Sequence, residues 1–137
     1  MRKHSTLAPE ITLIALSLLL LIGLMTFASP CAVHEDGSWM TCHWAGQALK
    51  GLAALLTALS ALLAIFRDRG VKRGIALAMI PAALLAIALP GSLIGLCGME
   101  TMRCRMIMRP TALVVGVLVA ALSAIEFVLT GNREKRA

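Results

Sequence analysis

Four cysteines carry the most distinctive chemistry of this chain: Cys31, Cys42, Cys97 and Cys104. Each lies in or beside a polar connector between apolar segments, whereas cysteines that only filled a core would be scattered through those segments. Cysteines that gather outside apolar segments favour disulfide bonds, thiol exchange or metal ligation. We therefore expect the chemistry of this protein at these connectors.

The four cysteines permit three disulfide pairings, and we expect Cys31–Cys42 with Cys97–Cys104 before either cross-connector arrangement. On one continuous helix, the seven residues that separate Cys97 from Cys104 would span about 10.5 Å along the axis. A disulfide requires Cα atoms within about 7 Å of one another. The second pair therefore predicts a helix break, for which Gly98 is the candidate.

A second interpretation makes the cysteines reactive instead of structural. Thr41 is a candidate helix cap, which puts Cys42 in a first turn, where free N–H groups stabilise a thiolate. Cys42 would then attack or be attacked, with Cys31 as its nearest neighbouring cysteine in the chain. A Cys97–Cys104 disulfide would exchange with a partner.

A third interpretation is a soft-metal or haem site. Cys42 is followed by His43, and Met102 belongs to a group of methionines near the cysteines, so thiolate, imidazole and thioether occur together. This ligand set suits Cu(I) or a haem edge. The familiar Cys-x-x-Cys and Cys-x-x-Cys-His spacings are missing. We therefore expect no cofactor, with copper and haem as alternatives.

The amino-acid composition indicates the kind of protein in which these cysteines lie. Of 137 residues, 59% are apolar and 15% are charged, whereas a soluble domain has about 45–50% and about 25%. A water-soluble fold of this size cannot bury so much apolar surface. Soluble, disordered and nucleic-acid-binding classes are therefore excluded despite a net charge of +6. The composition therefore predicts one all-α polytopic membrane domain over residues 1–137.

Four windows are long enough to cross a bilayer, which takes about 20 apolar residues. They are residues 7–28, 45–66, 74–96 and 111–130, which predict a four-helix bundle with connectors 29–44, 67–73 and 97–110. Trp39 and Trp44 fall where an aromatic belt is expected, and Lys50 is close enough to the same interface for its ammonium to reach the headgroups.

Positive charge predicts the orientation, because Lys and Arg collect on the cytoplasmic side. Both tails and connector 67–73 hold nine Lys and Arg residues, and the opposite side holds four. We therefore expect both termini in the cytoplasm, connectors 29–44 and 97–110 outside, and a multi-pass location in the inner (cytoplasmic) membrane.

Small residues predict where the helices touch, since helices in lipid associate through close packing. The third window carries Gly91-x-x-x-Gly95, and the fourth carries Gly116 and Ala120 at four-residue spacing. We expect these residues to pack within the bundle, with docking onto a larger partner as the alternative.

Prolines and charges inside the windows need separate explanations. Pro81 and Pro90 lie within the third window, where each would bend or locally unwind a helix. Glu126 lies about one turn from the inner end of the fourth, near enough to meet Arg67 or Lys72. We expect a structural role for Glu126, although a charged group in a span is a functional candidate by default.

Two segments next to the cysteines resemble a known family. Met40-Thr41-Cys42-His43-Trp44 precedes the second window, and Leu93-Ile94-Gly95-Leu96-Cys97-Gly98-Met99 runs on to Met102-Arg103-Cys104. They resemble the small bacterial and archaeal four-span membrane proteins grouped as domain of unknown function 4418. The resemblance covers nearly the whole chain and implies an accessory subunit beside a permease-type export system.

The topology alone is similar to that of quinone-coupled disulfide-forming membrane enzymes. These also have four spans, inner termini and a cysteine pair in each outer loop. They carry a Cys-x-x-Cys at the entrance to span two, whereas Cys31 lies eleven positions before Cys42 here. This resemblance implies quinone as an alternative cofactor.

We therefore expect a non-catalytic membrane module with a disulfide-closed outer cap, acting as an accessory subunit of a transport or envelope assembly. Its partners would be the lipid bilayer and a permease-type complex or a second copy of this chain, without nucleic acid. A quinone-coupled thiol–disulfide oxidoreductase and a soft-metal or haem-binding subunit are the alternatives.

Overall fold

A computed structural model describes residues 4–27, 37, 41–95 and 104–136. Within these residues lie four long helices: α1 (His4–Met25), α2 (Thr41–Ile65), α3 (Arg69–Ala88) and α4 (Arg109–Arg136). A five-residue π-helix, Cys104–Met108, leads directly into α4. All four α-helices are long and apolar enough to cross a membrane. The prediction of an all-α chain with four helices long and apolar enough to span a membrane is confirmed.

The core faces of the helices repeat with a period close to 3.5 residues. Buried positions recur in steps of three and four, which is the spacing of helices that pack at shallow angles with interlocking side chains. The opposite faces expose apolar residues such as Ile22, Leu77 and Val117, as lipid contact requires. The inward positions are Glu10, Leu13, Ser17, Leu20 and Leu24 on α1; Leu49, Ala53, Leu56, Ser60 and Leu63 on α2; Ala76, Met79, Ala83 and Ala86 on α3; and Ala112, Val115, Val119, Ser123, Glu126 and Thr130 on α4.

The helices form a ring in which α1 contacts α2, α2 contacts α3, α3 contacts α4, and α4 contacts α1. The connector between α2 and α3 is only three residues long, Phe66 to Asp68, so these two helices are antiparallel neighbours. We call the end with this connector, the start of α1 and the end of α4 the termini end. The opposite end, where α2 begins with Thr41 and Cys42 and the π-helix begins with Cys104, is the cysteine end.

Helix α3 differs most from its prediction, because it ends at Ala88 and not near residue 96. Pro90 has no N–H with which to continue the helical bonds, and Gly91 has a φ of 104°, which turns the chain back. The turn is closed by a bond of 3.0 Å from the Gly91 amide to the Ile94 carbonyl. Pro90 therefore ends α3, and the prediction that Pro90 lies inside this helix is wrong.

The other helix ends extend or shift the predicted windows. Helix α4 reaches Arg136 and α2 begins at Thr41, beyond the predicted limits of 130 and 45. Polar residues can continue a helix past the hydrocarbon layer, where an apolar window stops. Helix α1 is shifted toward the N-terminus, from His4 to Met25. Pro81 lies inside α3, within the helix as predicted, and is exposed.

Gly116 lies at a close approach between α3 and α4. A Cβ atom on Gly116 would lie 2.5 Å from Ile87 Cγ1 and 3.3 Å from the Ala83 carbonyl oxygen, so only glycine fits. Ala120, one turn later, is half-buried and packs against the core. Gly91 and Gly95 lie beyond the end of α3 and are exposed. Their four-residue spacing therefore does not mark a helix face, and the packing role predicted for them is wrong.

Candidate functional site

The cysteine end begins with the first turn of α2, where the backbone carries Cys42 as its second residue. The next residue, His43, packs edge-to-face against Trp44, with ring centroids 5.7 Å apart and planes at 82°. The Trp44 side chain is 61% exposed, which suits an aromatic ring at a membrane interface. Lys50 lies about two turns further along α2 and is half-buried.

The sulfur ligands that the sequence predicts are mostly outside the described residues. These are Cys31, Cys97 and Met102, together with the side chains of Cys42 and Cys104. Trp39 of the predicted aromatic belt also lies outside the described residues. The disulfide pairings and the Cys42, His43 and Met102 metal set therefore stay predictions. Among the side chains that the structure does describe, no three His, Cys, Asp or Glu residues form a metal-binding group.

The structure differs from the continuous helix considered for Cys97 and Cys104. Helix α3 ends at Ala88, nine residues before Cys97, so a single helix does not run from α3 through Cys97 to Cys104. Cys104 instead begins the π-helix that continues into α4. The helix break that we predicted at Gly98 occurs earlier, at Pro90 and Gly91, and Gly98 itself lies outside the described residues.

The termini end contains a buried charged pair that sequence reasoning missed. Glu10 of α1 is only 2% exposed, and its Oε1 accepts a hydrogen bond and ion pair from Lys72 Nζ of α3. Helices α1 and α3 are not neighbours in the ring, so this pair ties the bundle together across its interior. The sequence does indicate that Glu10 faces inward, because Glu10 continues the three- and four-residue spacing of Leu13, Ser17 and Leu20 toward the N-terminus.

A second carboxylate, Glu126 of α4, lies near this pair. It is 6% exposed and interacts electrostatically with Glu10 and Lys72 inside the bundle and with Arg133 beyond it. It makes no hydrogen bond or ion pair with another described residue. We call Glu10, Lys72 and Glu126 the buried charge cluster, which holds two carboxylates and one ammonium. Arg67, the other predicted partner of Glu126, is exposed.

Arg73 links α3 to α4 at the exposed edge of the termini end. We call this edge, with Arg69, Arg73 and Glu134, the rim. Its Nη1 donates to Oε2 of Glu134 at 3.2 Å, and its guanidinium lies 4.7 Å from the centre of the Phe127 ring. A Cβ atom on Gly131 would lie 3.6 Å from this guanidinium, which is an ordinary van der Waals distance. A nearby bond of 3.3 Å runs from Arg69 Nη1 to the Arg133 carbonyl. The rim therefore adds exposed contacts between α3 and α4.

Further into the bundle, the buried polar groups that the structure describes are hydroxyls. Ser17 and Ser60 have Oγ atoms 3.2 Å apart across α1 and α2. Each also donates to the carbonyl four residues earlier, as does the buried Ser123, which donates to Val119 at 2.7 Å. Each of these hydroxyls therefore has a carbonyl acceptor in its own helix, and Ser17 and Ser60 also link α1 to α2.

Comparison with known proteins identifies a family without giving a biochemical role. No curated protein and no solved structure matches the chain. The family model described as Domain of unknown function (DUF4418) matches residues 13–129, which include all of α2 and α3 and most of α1 and α4. On this match the chain belongs to the DUF4418 family.

Proposed function

We propose that this protein is a non-catalytic membrane module that serves as an accessory subunit of a transport or envelope assembly. Its cap at the cysteine end would be closed by disulfides. The apolar core of the bundle is the observation that carries the proposal. Fully buried Leu13, Leu20, Leu56, Met79 and Val119 occupy the centre of the described helices. Such a core is suited to packing and scaffolding.

The proposed orientation follows from charge. Nine Lys and Arg residues flank the termini end and four belong to the cysteine end, so the termini end would face the cytoplasm. The cysteines would then face an oxidising compartment, where disulfides persist. In this proposal the protein lies in the inner membrane, with both termini cytoplasmic.

Disulfide mapping tests the cap directly. Free thiols are blocked in intact cells, and the purified protein is then digested without reduction and analysed by mass spectrometry. We expect no blocked thiols and the pairs Cys31–Cys42 and Cys97–Cys104. We also expect Cys42→Ser and Cys104→Ser each to lower the free energy of unfolding by about 2–5 kcal/mol. Four free thiols would overturn the proposal.

The accessory role requires a partner in the membrane. A photo-crosslinking residue at Leu118, which is 44% exposed on α4, would capture a neighbour at the lipid-facing surface. A matched probe at Leu19, 56% exposed on α1, tests whether one face is preferred. We expect a defined adduct with a larger permease-type subunit at one position. Adducts with a second copy alone would support a homo-oligomer instead, and lipid adducts alone at both positions would contradict the accessory role.

The position of Cys42 in the first turn of α2 favours a second candidate, a thiol–disulfide oxidoreductase. A partner dithiol would reduce the Cys97–Cys104 disulfide and become oxidised. The two electrons and two protons would pass to a Cys31–Cys42 disulfide and then to a quinone, which becomes a quinol. This candidate predicts a trapped mixed disulfide in Cys104→Ser and quinone reduction by the reduced wild type. If neither is found, this candidate is excluded.

The soft-metal or haem alternative rests on Cys42, His43 and Met102. Purified protein from cells supplied with copper and haem would then contain about one copper per chain or show a Soret absorption band. The matched variant His43→Gln would lose the copper or change the band. A metal-free, colourless preparation with full stability would contradict this alternative.

A further inference from the structure

We propose that Glu126 is a proton-binding site inside the bundle, at the edge of the buried charge cluster. The site takes one proton from the aqueous phase at the termini end. This inference does not depend on the proposed accessory role, because it rests on the described side chains of α1, α3 and α4 alone.

The first observation is the burial of Glu126 on the core face of α4. It follows Val119 and Ser123 along the inward positions, and only 6% of its surface is exposed. Thr130, the next inward residue toward the termini end, lies four residues away, which is about 6 Å along the axis. The carboxyl group is therefore inside the bundle and close to one aqueous boundary.

The second observation is that its cationic neighbour is already engaged. The ammonium of Lys72 pairs with Glu10, so one positive charge serves two buried carboxylates. Glu126 has no hydrogen-bond or ion-pair partner among the described residues. A carboxylate largely buried in the bundle is costly when the cation beside it already pairs elsewhere, and binding a proton removes its charge.

The other charged groups described near the termini end do not neutralise the carboxylate of Glu126. Arg73 pairs with Glu134 on the rim, Arg69 bonds to a backbone carbonyl, and Arg133 and Arg67 are exposed. Helix α2 contributes the apolar Leu63 to the core at this end. Arg2, Lys3 and the side chain of His4 lie outside the described residues, and the experiment below includes them.

A proton fits the cluster better than a metal ion. Hard cations such as Ca²⁺ and Mg²⁺ take about six or more oxygen ligands, whereas one carboxylate oxygen suffices for a proton. With Glu126 protonated, Lys72 stays on Glu10 and ties α3 to α1. Without the proton, Glu126 and Glu10 compete for Lys72, so the packing of α3 between α1 and α4 becomes sensitive to pH.

The test uses dicyclohexylcarbodiimide, an apolar reagent that modifies protonated carboxyl groups. The carboxyl oxygen bonds to the carbodiimide carbon and the carboxyl proton moves to a nitrogen, and the adduct rearranges to a stable acylurea. The full-length protein in phosphatidylcholine vesicles is treated from pH 6 to pH 9 and mapped by mass spectrometry. We expect Glu126 to react at least tenfold faster than Glu10 and Glu134, with a rate that falls as the pH rises.

Four variants sharpen this result. Glu126→Gln should abolish the adduct, and Glu126→Asp should retain it, because the carboxyl stays on the same face. Lys72→Met should make Glu10 reactive as well, since its partner is removed. The combined variant Arg2→Ala, Lys3→Ala and His4→Ala should leave the rate at Glu126 within twofold of that of the wild type.

Several outcomes would overturn the proposal. One is a rate at Glu126 no greater than that at the exposed Glu134, and another is a rate that does not change with pH. Protection by Na⁺ at constant pH would indicate a metal-cation site instead of a proton site. A rate at Glu126 that changes more than tenfold in the combined variant would mean that the N-terminal residues, not the buried charge cluster, control this carboxyl. Because the wild type gives the main readout, the test does not depend on any variant folding.

Discussion

The two ends of the bundle are held by different kinds of interaction. At the termini end, side chains from distant parts of the chain pair with one another: Glu10 and Lys72 are 62 positions apart, and Arg73 and Glu134 are 61 apart. At the cysteine end, the polar contacts that the structure describes are local, as in the turn from Pro90 to Ile94. The comparison indicates that long-range charge pairs link the helices at one end. At the other end we propose that disulfides supply the equivalent link.

The largest effect should come from breaking the pair that crosses the bundle interior. Lys72→Met leaves the buried Glu10 without its ion-pair partner and should lower the free energy of unfolding by about 3–5 kcal/mol, whereas Glu10→Leu leaves the half-buried Lys72 beside Glu126 and should cost less. The double variant should recover most of this loss, because neither charge remains. Reversible unfolding in mixed detergent micelles measures all three. If the loss of stability in the double variant equals the sum of the losses in the two single variants, a direct Glu10–Lys72 interaction is contradicted.

The close approach at Gly116 should give the next largest effect. A Cβ atom there would lie 2.5 Å from Ile87 Cγ1, so Gly116→Ala should cost about 1–3 kcal/mol through overpacking. Gly74→Ala is the matched control in α3, because a Cβ atom there meets nothing within 4 Å. That control should be neutral or stabilising by up to about 1 kcal/mol, since alanine favours helix. Equal effects in both variants would show that Gly116 is not a packing position.

The turn after α3 should give a smaller effect at the cysteine end. Gly91 has a φ of 104°, a conformation that alanine adopts at a cost of about 1–2 kcal/mol. Gly91→Ala should therefore lower the free energy of unfolding by this amount. Gly95→Ala, at the end of the same turn and in open space, should change it much less. A larger loss at Gly95 would contradict the turn geometry.

The exposed pair on the rim should matter least. Glu134 is 63% exposed and Arg73 is 43% exposed, and such surface pairs contribute about 0.2–1 kcal/mol. Glu134→Gln should change the free energy of unfolding by less than about 0.5 kcal/mol, and salt should reduce the difference further. Glu10→Gln, measured alongside, should cost several times more. Equal costs for the two variants would contradict the contrast between rim and interior.

Composition and window length were sufficient to predict four helices, because the need to satisfy backbone groups in lipid leaves a chain of this kind little choice. The end of α3 was mispredicted because apolar residues continue past Pro90, whereas Pro90 and the positive φ of Gly91 reverse the chain. The Glu10–Lys72 pair was missed because it joins non-neighbouring helices, whose relative rotation a hydropathy window does not contain. The cysteine pairings stay predictions, since spacing alone does not determine connectivity.

Labelling from outside the cell tests most directly whether the two ends face opposite sides of the membrane. Intact cells are treated with a mild reductant and a membrane-impermeant maleimide, using a variant that carries Glu134→Cys at the termini end. Modified cysteines are then identified by mass spectrometry. We predict that the native cysteines react in intact cells and that position 134 reacts only after the membrane is opened. Labelling of position 134 in intact cells, with native cysteines reachable only from within, would contradict the orientation and the proposed oxidised cap together.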